Sequence, residues 1–204
     1  GCALLGGETA EHPGLMADDA FDLAGFCVGV VEEERRLGPD RVRDGDVLIG
    51  LASSGLHANG FSLVRAALLV RGGYALERIV PPLHRPLVDE LLEPTAIYAP
   101  LVLELAREGV LHAAAHVTGG GIVENLPRVL PQGLEGDVAW GSWPEPPVFE
   151  LLRARTGATE DDLRSTFNLG VGMVLVVPPA RAERAIAHAS ASGSAAFPIG
   201  VVRA

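Results

Sequence analysis

The sequence predicts an α+β protein: a layered α/β/α domain over most of the chain, preceded by the tail of a separate domain. Three observations carry this. Apolar runs of strand length recur along the 204 residues, each bounded by Gly, Pro or Asp turn signals. Stretches with apolar residues at helical spacing lie between them. The two kinds alternate irregularly, without the strict strand–helix–strand repeat of a doubly wound sheet, and that favours a layered α+β architecture.

In chain order, residues 1–14 form an apolar start with a Gly-rich turn, and residues 15–19 read as loop. Residues 21–31 are apolar and rich in small and β-branched side chains, which predicts a buried strand with Cys27 as a small core residue. The charged stretch EEERRLGPDRVRDGD follows and places a boundary near residue 36. Residues 47–52 predict a short strand that runs into SSGLHANG. Residues 61–70 predict a helix stopped by Gly72 and Gly73. Residues 81–108 are mostly helical by pattern, with Pro86, Pro94 and Pro100 fitting helix starts. Residues 112–117 predict a strand, with a helix after it to about residue 129. A strand over 134–140, helices over 147–155 and 160–166, a strand over 170–177, a helix over 181–191 and a strand over 196–202 complete the pattern.

Composition narrows the function classes. The formal charge is −10, and all 16 basic residues are arginine. No basic cluster resembles a nucleic-acid footprint, and the net field repels a polyanion. Small phosphorylated ligands remain compatible, because backbone N–H groups and one or two arginines hold them. No apolar run reaches the roughly 18–20 residues that span a bilayer, and no secretory signal opens the chain. Two cysteines give neither a disulfide framework nor zinc spacing, and fit a reducing cytoplasm. The chain starts at Gly1 inside a Gly-rich motif, without Met, and reads as a piece of a longer protein.

Four polar clusters sit at strand ends, where a scaffold presents side chains to ligands. Gly6-Gly7-Glu8-Thr9-Ala10-Glu11 reads either as a surface turn with solvated acids or as a backbone approach with carboxylates for a magnesium ion on nucleotide phosphates. The segment from Ser53 to Gly60 joins a strand to a helix. It is either a capped helix start, with Ser54 or Asn59 as N-cap, or an anion site on the N–H groups of the following helix, with His57 as proton shuttle. His116-Val117-Thr118-Gly119-Gly120-Gly121 is either a tight turn with a packed histidine or a phosphate cradle; it lacks the lysine of a Walker A loop. In Thr166–Met173, Asn168 either closes a loop or reads a ligand amide or phosphate. His12, His84, His112 and His188 read as surface or packing residues, and Trp140 and Trp143 as stabilisers of the fold.

Six strings in order, GGETAEHPG, DLAGFCVGVVE, DGDVLIGLASSGLHANGFSLVR, LLEPTAIY, AHVTGGGIVENLPRVLP and TFNLGVGMV, resemble the aminoimidazole ribonucleotide (AIR) synthetases, also called phosphoribosylformylglycinamidine cyclo-ligases. The resemblance implies residues 1–36 as the tail of an ATP-binding, dimerising domain and residues 37–204 as the C-terminal domain. It implies an ATP- and Mg²⁺-dependent ring closure of formylglycinamidine ribonucleotide in purine biosynthesis by a cytoplasmic homodimer, without nucleic acid or membrane.

Residue by residue, the resemblance makes Gly7 and Glu8 nucleotide-binding, with Glu8 near the metal. His57 and His116 become the candidates for proton transfer. Ser54, Asn59, Thr118, Gly119, Gly120, Gly121 and Asn168 become substrate or phosphate ligands. Ala58, Phe61 and His12 depart from the family's usual serine, tyrosine and methionine without touching a polar or Gly position. The family's DGVGTK string, with its ATP-contacting lysine and aspartate, does not occur in these residues, so the chain alone is expected to be inactive. The rival readings are a related ATP-dependent enzyme, such as a formylglycinamidine synthetase or thiamine-monophosphate kinase, and a non-catalytic phosphate-binding or assembly module.

Overall fold

A computed structural model describes residues 2–204. The chain divides into two units, Gly1–Arg36 and Leu37–Ala204.

Within the described part of the first unit there is no strand ladder. An isolated bridge joins Pro13 and Met16, and one 3₁₀ turn covers Glu33–Arg35. The strand expected over residues 21–31 is not formed. Phe26 is 94% exposed, Leu23, Val28 and Val30 are exposed as well, and so is Cys27, which was expected in a core. The physical reason is pairing. An apolar run becomes a strand only when another ladder takes its N–H and C=O groups, and the described residues of this unit offer none.

The second unit is built on a five-stranded sheet. Its strands are β1 (Val47–Ala52), β4 (Ala113–His116), β5 (Glu135–Val138), β6 (Val171–Val177) and β7 (Ala196–Arg203), in the order β4-β6-β1-β7-β5. Every neighbouring pair is antiparallel. A separate two-residue pair joins β2 (Ile79–Val80) to β3 (Arg85–Pro86).

The central strands are apolar on both faces, as a sheet covered on two sides requires. Alternation sorts their residues. Ile49, Leu51, Leu175 and Val177 pack with Leu101 and Leu105 of α3 (Ala99–Arg107) and with Ala185 and Ala189 of α7 (Ala182–Ala191). The i, i+4 spacing in both helices puts each pair on one face. Leu48, Val174 and Val176 turn the other way, onto Ile122 of α4 (Gly121–Asn125) and Leu126 of the 3₁₀ turn Leu126–Val129. The result is the expected helix–sheet–helix layering. Burying each of these leucines and isoleucines stabilises the fold by roughly 1.5–3 kcal/mol.

A third cluster joins the remaining helices. Val64 of α1 (Phe61–Val64) and Leu68 of the π-helical Arg65–Arg71 meet Leu87 of α2 (Leu87–Leu91), Phe149 and Leu152 of α5 (Pro147–Thr156), and Leu163 of α6 (Glu160–Thr166). A capping box fixes the start of α6: Thr159 accepts from the Asp162 amide and Asp162 accepts from the Thr159 amide. Pro100 lies in the first turn of α3 and Pro86 caps α2, as expected. Pro94 differs, since it lies between α2 and α3 outside any helix.

The antiparallel pairing decides where ligand-facing loops collect. β1 and β4 run opposite to β6 and β7, so the C-terminal ends of the first two lie beside the N-terminal ends of the others. Ala52 pairs with Val171 and His116 with Met173. The loops 53–60, 117–121 and 166–170 therefore emerge at one end of the sheet.

Candidate functional site

The loop after β1 is held from two sides. Asn168 is 1% exposed, and its amide is fully committed. Its Nδ2 donates to the carbonyls of Gly55 (2.9 Å) and Leu56 (3.2 Å), while Oδ1 accepts from Ser53 Oγ (2.9 Å) and the Gly170 amide (2.8 Å). With two donors and two acceptors used, it has no group left for a ligand. Asn168, expected to bind substrate or phosphate, instead closes the loop. Trp143 supports the same turn by donating Nε1–H to the Leu169 carbonyl at 2.8 Å.

On the other side, Ser54 donates its hydroxyl to the Pro94 carbonyl at 2.6 Å, so this proton too is committed within the chain. Glu90, 7% exposed, is paired with Arg85 at 2.6 Å and lies beside Gly55.

His57 is buried, not open to solvent, and adopts φ +57°. That region is uncommon for a residue with a Cβ. Its Nε2 accepts from the Ser54 amide at 3.2 Å and, more weakly, from the Ala96 amide at 3.5 Å. An accepting Nε2 places the ring proton on Nδ1, which is buried and has no partner. Burial first, and the nearby His116 second, push the imidazole from its ordinary value of 6.5 down to about 4.

The sign of the pH effect follows. Between about 4 and 6.5 the unfolded chain binds a proton at His57 that the folded chain refuses, so stability falls as pH falls through that window. The full difference is about 3 kcal/mol. Asparagine tolerates φ near +57°, so His57→Asn should flatten the dependence. Urea midpoints at pH 7 and pH 4.5 are expected to differ less in the variant than in the parent; an equal loss in both would remove His57 as the source.

Between the two histidines stands Tyr98. Its ring centroid lies 6.1 Å from that of His57 and 6.1 Å from that of His116. Gly172 of β6 makes the room: a Cβ there would overlap Tyr98 Oη and stand 2.5 Å from His57 Cε1. The missing side chain at Gly172 thus admits two side chains close to the strand.

His116, the last residue of β4, is exposed. The loop after it is organised by Asn125, whose Nδ2 donates to the carbonyls of Gly119 (3.1 Å) and Gly121 (2.7 Å) and whose Oδ1 accepts from Thr118 Oγ1 (3.1 Å). Gly120 and Gly121 take φ +94° and +59°, which a glycine adopts without strain. The amides of Gly119 and Gly120 donate no hydrogen bond within the described chain. Asn59 reaches this loop from the other side: its Oδ1 stands 3.7 Å from where a Cβ on Gly119 would be. Asn59 is half-exposed and makes no side-chain hydrogen bond among the described residues.

The structure thus divides the expected site residues of the second unit. His116 is exposed, Asn59 is half-exposed beside Gly119, and the Gly119 and Gly120 amides donate no hydrogen bond within the described chain. Ser54, Thr118, Gly121 and Asn168 hold the loops that present them, and His57 lies behind Tyr98. Gly7 and Glu8 belong to the first unit, where both are exposed. Residue type assigned no role to Tyr98 or Asn125. Both stand inside strings quoted above, LLEPTAIY and HVTGGGIVEN, but neither residue type signals a positioning role. Among the described residues no group of three or more His, Cys, Asp or Glu side chains comes together. A groove of about 1110 Å³ along β5, α4 and the chain end at Ala204 is lined by none of the site residues.

A layered α+β domain that gathers a histidine loop and a glycine loop at one end of an antiparallel sheet is the class defined by this geometry. The chain belongs to the AIR synthase related protein family: residues 43–204 match the model of its C-terminal domain. It is 50% identical over 202 residues to the phosphoribosylformylglycinamidine cyclo-ligase of Shouchella clausii (strain KSM-K16), covering 99% of this chain and 59% of that protein. The enzyme of that name from Bacillus subtilis (strain 168) is 46% identical over 203 residues, covering 100% of this chain and 59% of its own. The chain therefore spans about 59% of the length of these curated relatives. In fold it is similar to the thiamine-monophosphate kinase from Stenotrophomonas maltophilia K279a, with a TM-score of 0.59, 20% identity, and coverage of 85% of this chain and 52% of that one. No helix among the described residues is long and apolar enough to cross a membrane.

Proposed function

We propose that this chain is the substrate-closing part of an ATP-dependent phosphoribosylformylglycinamidine cyclo-ligase. The observation that carries the reading is that the loops bearing Asn59 and the open amides of Gly119 and Gly120 emerge, with the exposed His116, at one end of the sheet.

In the reaction, ATP phosphorylates the formyl oxygen of formylglycinamidine ribonucleotide. An amidine nitrogen attacks the formyl carbon, the bond from that carbon to the phosphorylated oxygen breaks, and AIR, ADP and phosphate leave. Each part of the surface has a task in it. The open amides of the glycine loop suit a phosphate or a developing oxyanion. Asn59 offers both a donor and an acceptor to the substrate. In this reading His116, exposed at the end of β4, takes the proton released as the nitrogen adds. Magnesium would neutralise charge on the ATP phosphates, with Glu8 as one carboxylate toward it. The same reading assigns Gly7 and Glu8 to the nucleotide, residues 1–36 to an ATP-binding domain, and a homodimer to the whole protein.

The test is an assay of AIR formation from formylglycinamidine ribonucleotide, ATP and Mg²⁺, with the full-length protein and this 204-residue chain side by side. The full-length protein is expected to form AIR and the chain alone to form none. A full-length protein without this activity ends the reading, and turnover by the chain alone ends the requirement for the lysine and aspartate of the DGVGTK string.

A further inference from the structure

The segment from Pro94 to Tyr98 fastens the histidine loop at every second residue. The Pro94 carbonyl accepts from Ser54 Oγ at 2.6 Å, the Ala96 amide donates to His57 Nε2 at 3.5 Å, and Tyr98 Oη donates to the Ala52 carbonyl at 2.8 Å. The three contacts, two from backbone groups and one from a side chain, converge on residues 52–57. The Tyr98 hydroxyl is the far anchor, fixed to the last residue of β1, and its ring fills the space left by Gly172.

What the tethers hold is an unfavourable arrangement. His57 has a left-handed backbone, and its buried Nδ1–H has no acceptor. A donor left in that state tends to find water or another tautomer unless its surroundings forbid it. Among the described residues, His116 is the titratable ring that acts on His57 beyond Tyr98, and Glu90 beside Gly55 is already paired with Arg85.

We propose that Tyr98 is a positioning residue: its hydroxyl and ring lock residues 94–98 onto the histidine loop, keep the His57 proton on Nδ1, and leave His116 as the imidazole that exchanges protons with substrate. The catalytic half of this rests on the ring-closure reading. The structural half rests on the tethers alone.

The test uses the full-length protein with ¹³C-labelled histidine, in which Cδ2 reports the tautomer and Cε1 the titration; His57→Asn and His116→Gln assign the signals. In the parent, His57 is expected as the Nδ1-protonated tautomer down to a midpoint near 4. In Tyr98→Phe, which removes only the hydroxyl anchor, the midpoint is expected to rise by at least about one pH unit, a tenfold change in proton affinity, with tautomers mixed. The kcat for ring closure should fall about tenfold or more, with KM within about threefold. Ser54→Ala cuts a different tether of the same segment, and its His57 signal is expected to move in the same direction; it decides the matter if Tyr98→Phe does not fold. A folded Tyr98→Phe or Ser54→Ala protein whose His57 signals match the parent's overturns the proposal, even if its melting temperature drops. If the parent itself closes no ring, the functional reading falls, and the histidine signals still decide the role of Tyr98.

Discussion

Alanine at position 121 is expected to destabilise the second unit by about 3–5 kcal/mol, the range of severe overpacking combined with backbone strain. The glycine sits at φ +59°, and a Cβ there would overlap the Arg164 carbonyl oxygen and stand 2.8 Å from that of Phe167. Both obstacles are backbone. Arg164 lies in α6, whose start is fixed by the Thr159–Asp162 capping box, and the Phe167 side chain is 1% exposed in the helical cluster. Neither can withdraw without unpacking that cluster. Gly119→Ala is the control: no positive φ constrains that position, and the nearest atom to its Cβ would be Asn59 Oδ1 at an ordinary 3.7 Å. Urea denaturation should show Gly119→Ala within about 1 kcal/mol of the parent and Gly121→Ala far below it. Equal losses would mean that the glycine loop is not pressed against α6.

These two glycines show what residue types reveal and what they conceal. The run Thr118–Gly121 marks a special backbone in sequence, and the strand before it and helix after it are legible from pattern. Which glycine is indispensable, and why, depends on a segment more than forty residues later, α6, which no local pattern connects to it. Asn168 gives the same lesson with the opposite outcome. A polar residue beside glycines at a strand start fits a ligand contact and a loop closure equally well, and only the positions of Ser53, Gly55 and Leu56 turn all its bonds inward. His57 lay in a string that resembles a substrate-binding loop, but its burial behind Tyr98 depends on the absent side chain of Gly172 in a different strand. The layered architecture was legible because alternation and helical spacing are local. The strand expected over residues 21–31 failed for the complementary reason: its apolar pattern is local, but a ladder partner is not.

Replacing His116 by glutamine in the full-length protein is expected to lower kcat by about 10²–10⁴, the usual contribution of a positioned acid or base and equal to about 3–5 kcal/mol of barrier. The fold should be indifferent. His116 is exposed at the end of β4 and its side chain makes no hydrogen bond among the described residues, so its loss orphans no buried group. A stability change within about 0.5 kcal/mol is expected. His57 gives the contrasting signature. Its imidazole is buried and uncharged down to about pH 4, so His57→Asn should alter the acid dependence of stability before it alters the chemistry. Measuring kcat, KM and urea midpoints for both variants separates the roles: a large kcat loss at unchanged stability for His116, and a changed stability profile for His57. If His116→Gln keeps the parent's kcat, the exposed imidazole is not the proton acceptor.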